Sequence, residues 1–128
     1  MAKILIVDDS PTDVELFREA LSEKGHSILV AYDGISAEEI VAKEGPDLLI
    51  LDIIMPKKDG FQVCRDLKSN PTTHHIPIAI VSSKGEEADI YWGKKQGADA
   101  YLVKPFSMDT LLKVVEELLR LREQMGMN

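Results

Sequence analysis

Five short apolar runs recur along this chain, each followed by a longer stretch with helical punctuation, and this alternation restricts the fold more than any other feature. The runs are Lys3–Val7, Ser27–Ala31, Asp47–Leu51, Ile76–Val81 and Asp99–Val103. Each is near-continuously apolar rather than alternating, the pattern of a strand covered on both faces. Strands of that kind pair in parallel and need a crossover between them, so the intervening stretches should be helices. Ser10-Pro11 reads as an N-cap followed by proline at the first helical position, and Ser36-Ala37-Glu38-Glu39 has the spacing of a capping box. Gly25, Gly45 and Gly97 punctuate the helix ends. A last helix is expected from Ser107 to near Gln124. Its apolar set, Leu111, Leu112, Val115, Leu118 and Leu119, is wider than one narrow stripe and offers surface beyond what a core needs. The pattern predicts an α/β chain, a three-layer sandwich with right-handed crossovers.

With 128 residues, 45% hydrophobic and 29% charged, the chain can bury a core, and one domain over residues 1–128 with no output domain is expected. A net charge of −7 with scattered basic residues argues against a nucleic-acid surface, so any effect on transcription would need a protein partner. Cys64 is the only cysteine, which excludes a disulfide framework and a multi-thiolate metal site and leaves a small core residue. No apolar stretch approaches the ~18–20 residues of a membrane span, and the apolar part of MAKILIVDD is too short for a signal peptide. A cytoplasmic protein is expected.

Polar groups stand where the runs end: Asp8 and Asp9, Asp52, Ser82 and Lys104. Parallel strands would bring them to one sheet edge, outside the carboxyl ends, where open α/β sheets hold their ligands. Three carboxylates cannot stay bare there, since each pair repels by roughly 4 kcal/mol at about 4 Å and an effective dielectric near 20. An all-oxygen ligand set suits Mg²⁺ or Mn²⁺, and Lys104 supplies a fixed positive charge. Such a site is built to hold a phosphoryl group. One carboxylate attacks phosphorus, the cations neutralise its oxygens, and the Ser82 hydroxyl donates a hydrogen bond. Asp52 is the natural nucleophile because its strand should be central. Taken singly, Asp8-Asp9-Ser10-Pro11 reads as helix-start chemistry, Asp52 before Met55-Pro56 as a turn, and Lys104-Pro105 as a surface loop. Their conjunction favours a site. His26, His74 and His75 give no convergent metal pattern, and Trp92 reads first as a packing residue.

The motifs VDDS at 7–10, LDIIMPKKDG at 51–60, VSS at 81–83 and KPF at 104–106 resemble those of the receiver domain of two-component response regulators. The resemblance covers nearly all of the chain. It implies a flavodoxin-like fold, a five-stranded parallel sheet in the order 2-1-3-4-5 flanked by five helices. It further implies that Asp52 accepts the phosphoryl group. Asp9 and Asp52 would ligate Mg²⁺ directly, Asp8 through water, and the Ile54 carbonyl would complete the set. Ser82 and Tyr101 would form the switch, Lys104 would contact the phosphoryl group, and the Lys104–Pro105 bond would be cis. A sensor histidine kinase would be the donor. A downstream protein would bind the face made by the fourth helix, fifth strand and fifth helix, around Trp92 and Tyr101. Residues 89–106, DIYWGKKQGADAYLVKPF, are similar more narrowly to single-domain regulators of pilus-driven twitching and related chemosensory systems. Such a protein catalyses only its own phosphorylation and a slow dephosphorylation, slowed here by apolar Ile54 and by Lys84. Two other readings are a phosphatase of the haloacid-dehalogenase type and a receiver-like module that binds without phosphorylation. The first wants an Asp-x-Asp pair after the first strand, which is lacking, and the second usually loses an acid or the lysine, which are all kept.

Overall fold

The computed structural model describes residues 1–124. The chain alternates β1 (Lys3–Val7), α1 (Pro11–Glu23), β2 (Ser27–Ala31), α2 (Gly34–Glu44), β3 (Leu48–Leu51), α3 (Gly60–Ser69), β4 (Ile78–Ser82), α4 (Glu87–Lys95), β5 (Ala100–Val103) and α5 (Met108–Gln124). All strand pairs are parallel and the sheet order is β2-β1-β3-β4-β5, as the receiver resemblance implies.

Successive side chains of a strand point to opposite faces, so the continuous apolar runs feed two cores. Ile4, Ile6, Leu48, Ile50, Ala79 and Val81 meet Val14, Phe17 and Leu21 of α1 and Leu111, Val115 and Leu118 of α5. Their neighbours Leu5, Val7, Leu49, Leu51, Ile78 and Ile80 meet Ala37 and Val41 of α2 and Val63, Cys64 and Leu67 of α3. Each fully buried aliphatic side chain contributes about 1.5–3 kcal/mol, which makes β1, β3 and β4 the rigid floor of the molecule. Cys64 is a core residue as expected, and burial pushes its thiol up to about 12.

The structure departs from the sequence expectations in three places. β2 and β5 are only half-buried, because they are the sheet edges and have a neighbour on one side alone. α2 starts before Ser36: Asp33 is its N-cap, accepting the Ser36 N–H at 2.8 Å and the Ser36 hydroxyl at 3.0 Å. The carboxylate outcompetes the serine for the role. Of the leucines of α5, Leu112 and Leu119 pack against the core rather than facing solvent, and Leu121 is exposed. Ser10 and Pro11 do open α1, and Gly25, Gly45 and Gly97 take positive φ after α1, α2 and α4. Among the described residues no helix is long and apolar enough to cross a membrane.

Candidate functional site

The ends of β1, β2 and β3 are level, and β4 and β5 run two residues further. Val7 is in register with Ala31 and Leu51, Leu51 with Ile80, and Ser82 with Val103. The ladder runs one residue further into the polar positions: Asp8 N–H bonds Ala31 O at 3.1 Å, Asp52 N–H bonds Val7 O at 2.9 Å, and Lys104 N–H bonds Ser82 O at 2.9 Å. Asp8, Asp52 and Lys104 are thus held by sheet hydrogen bonds, the firmest support the fold offers.

Asp8, Asp9 and Asp52 come together as the sequence predicts, each offering a carboxylate oxygen, all within 4.8 Å of one another. Asp8 and Asp52 are buried and Asp9 is exposed. Ser82, at the end of β4, is fully buried, and its Oγ accepts the Lys84 N–H at 3.3 Å. Lys104 reaches across the edge to Asp8 at 3.0 Å and Asp52 at 3.4 Å. Its bond to Pro105 is cis. Beyond it the Phe106 ring stacks on Phe17 of α1, with centroids 6.0 Å apart.

Sequence reasoning missed one member. Asp13, in the first turn of α1, is the partner nearest to the Lys104 ammonium, at 2.8 Å. An acid three residues after an N-cap is ordinary helix chemistry, so only the reach of Lys104 across the sheet edge to the first turn of α1 marks it. Three carboxylates, Asp8, Asp13 and Asp52, therefore surround one ammonium. Burial would lower the Lys104 pKa, but hydrogen bonds to Asp13 and Asp8 and the charge of Asp52 outweigh it and raise it. Burial raises the pKa of Asp8, against the pull of the Ser10 N–H at 2.9 Å and of Lys104.

The segment after β3 orients the Asp52 carboxylate. Asp52 Oδ1 accepts the N–H groups of Ile53 at 2.7 Å and Ile54 at 3.4 Å, which leaves Oδ2 toward Lys104. The Ile54 side chain is half-exposed beside it. Lys57, at φ +71°, makes a tight turn in which Lys58 N–H reaches Pro56 O at 2.7 Å. The chain then folds back so that Gly60 N–H bonds Ile53 O at 2.9 Å. Lys58 ties the loop down by ion pairs to Glu38 of α2 and Asp66 of α3.

Tyr101 lies on β5, one strand from Ser82. Its ring packs on Gly93 of α4, and its hydroxyl donates to Lys84 O at 2.6 Å. Burial, with Asp89 and Asp52 nearby, raises that hydroxyl's pKa to about 12, so it stays a donor. Tyr91 and Trp92 of α4 and Val103 of β5 are exposed, and Trp92 is not a core residue. His26 has a structural role, its Nδ1 accepting the Ala2 N–H, and His74 and His75 are exposed in the loop before β4, away from the carboxylates.

The sequence and the fold are similar to those of known proteins. Protein PilH of Pseudomonas aeruginosa is 44% identical over 93% of this chain and 98% of its own length. The chain spans about half the length of the mycobacterial response regulators MprA that it also matches, 51% in the Mycobacterium leprae protein at 42% identity. A crystal structure of a response regulator from Chloroflexus aurantiacus superposes with a TM-score of 0.89 at 32% identity, covering 93% of this chain and 98% of that one. The Mn²⁺-bound form of response regulator Rcp1 superposes with a TM-score of 0.79 at 29% identity over 92% of this chain and 91% of its own. The model of the response regulator receiver domain matches residues 4–116, and the chain belongs to that family.

Proposed function

We propose that Asp52 accepts a phosphoryl group from a phosphohistidine of a sensor kinase, and that the chain signals by protein contact as a stand-alone regulator in the cytoplasm. The observation that carries this reading is the meeting of three acids and one lysine at one edge of the sheet, with the buried Ser82 hydroxyl at the end of the next strand. A carboxylate oxygen of Asp52 bonds to phosphorus as the bond to the donor breaks. Lys104 neutralises a phosphoryl oxygen, and Ser82, released from the Lys84 amide, turns its hydroxyl to another. Asp8, Asp9, Asp52 and the Ile54 carbonyl would hold Mg²⁺, which suits this all-oxygen set and supplies charge neutralisation when bound. The coverage of PilH supports a receiver working without an output domain of its own. Incubation with acetyl phosphate and Mg²⁺ tests the reading: the mass should rise by one phosphoryl group, and a small phosphate ester should not be turned over. Turnover would favour the phosphatase, and no mass gain would favour a phosphorylation-independent module.

Asp9→Asn should weaken Mg²⁺ binding more than Asp8→Asn. A direct ligand loses a metal bond, whereas a water-mediated one is partly replaced by solvent. Mg²⁺ should raise the unfolding temperature of the wild type, since only the folded chain assembles the three acids. Equal Mg²⁺ affinities of the two variants, measured by titration, would contradict the ordering.

Output follows from the link between Ser82 and Tyr101. Movement of Ser82 shifts an existing equilibrium of the loop before α4 and of Tyr101, and so alters the face around Trp92 and Tyr101 that a downstream protein would bind. Loss of the phosphoryl group should be slow, because a water must be held in line with phosphorus and Ile54 can neither donate to it nor accept from it. Lys84, exposed two residues after Ser82, can cover the approach. Ile54→Asn should shorten the lifetime of the phosphorylated protein; equal decay of the two would refute the water-orientation argument.

A further inference from the structure

An ammonium has three N–H donors. At Lys104 they face three carboxylates: Asp13 at 2.8 Å, Asp8 at 3.0 Å and Asp52 at 3.4 Å. The shortest contact is to Asp13, on a helix rather than at a strand end. The Asp13 N–H donates to the Ser10 Oγ cap at 3.3 Å, so the backbone fixes where this carboxylate starts. Asp13 stands outside the group of acids whose oxygens approach one another, which is Asp8, Asp9 and Asp52. It acts on the lysine rather than on a cation those three would share.

Phosphorylation of Asp52, the reading on which this inference rests, changes what the lysine must do. The phosphoryl oxygens carry about two negative charges and need a donor. The lysine's contact to Asp52 is the longest of its three, at 3.4 Å, so closing on those oxygens draws it away from Asp13 or Asp8. Asp8 is buried, and leaving it unpaired is costly. The Asp13 side chain is 32% exposed, so water can replace the lysine there. Until that happens Asp13 opposes an incoming dianion twice, by occupying an N–H and by adding a negative charge beside the path.

We propose that Asp13 is a positioning residue that holds the Lys104 ammonium on the α1 side of the site and thereby restrains phosphoryl transfer to Asp52. With acetyl phosphate, the new bond runs from an Asp52 oxygen to phosphorus, the bond from phosphorus to the acetyl oxygen breaks, and acetate leaves. Lys104 keeps its proton throughout and changes only its partners.

The test compares wild type, Asp13→Asn and Asp13→Glu with acetyl phosphate and Mg²⁺, following phosphoryl gain by intact mass. At low salt Asp13→Asn should be phosphorylated about three- to tenfold faster, the order expected for one charge a few ångströms from a dianion at a partly exposed site. The advantage should shrink as ionic strength rises, and Asp13→Glu should return the rate toward that of wild type. Without donor, the Mg²⁺ affinity of Asp13→Asn should stay closer to wild type than that of Asp9→Asn. A merely structural role would instead slow the variant with no salt dependence, and would overturn the proposal. So would an Asp13→Asn rate at or below wild type when wild type is labelled on Asp52. Absence of label on wild-type Asp52 would overturn the phosphoacceptor reading itself, and this inference with it.

Discussion

Asp52→Asn should take up no phosphoryl group from acetyl phosphate under conditions in which the wild type gains one. The amide cannot attack phosphorus, and no neighbouring acid can replace it. Asp8 is buried and held by Ser10 N–H and Lys104, Asp13 is held by Lys104, and the Ile53 and Ile54 amides orient the carboxylate of Asp52 alone. The loss should be complete rather than partial. It should not come from unfolding, because asparagine keeps an oxygen for the Ile53 N–H and relieves the crowding of three anions. Intact mass and a thermal melt read the two effects separately. Label persisting on the variant would move the phosphoacceptor elsewhere.

Gly60→Ala should be among the most damaging substitutions in the chain, costing about 3 kcal/mol or more for one methyl group forced into a packed site. A Cβ there would lie 2.1 Å from the Asp52 carbonyl oxygen and 2.8 Å from Ile53 Cα. Both are backbone, so neither can swing aside. The start of α3 would have to leave β3, breaking the Gly60 N–H bond to Ile53 O, and Asp52 would move with it. Gly45→Ala is the control: its Cβ meets nothing within 4 Å, and only its positive φ of 56° is penalised, by roughly 1–2 kcal/mol. Denaturant midpoints of the two variants should separate clearly. Equal midpoints would show that the β3–α3 loop yields more easily than its packing implies.

How much of this was legible in the sequence depends on the range of each interaction. The strands were readable because continuous burial leaves a continuous apolar run, and the strand-end acids because register brings every run's last residue to one edge. The parallel order came from the motifs of the family rather than from periodicity, which cannot rank strands. Asp33 was missed as a cap because Ser36 offered a familiar spacing in the same turn. The half-burial of β2 and β5 was hidden because an edge strand can carry the same residues as a central one. Asp13 was missed for a different reason: its partner is Lys104, 91 positions along the chain, and no local pattern encodes that approach.

The joint between Ser82 and Tyr101 is made by Lys84, but only by its main chain. Its N–H goes to the Ser82 hydroxyl and its carbonyl oxygen accepts from Tyr101. Any residue that keeps an N–H can serve as that joint. The side chain at 84 is therefore free to vary in length and charge without cutting the connection, so on the proposed function a substitution there would change how long the phosphoryl group lasts and leave the link to Tyr101 intact. Only proline, which lacks the N–H, would sever the joint from the Ser82 side.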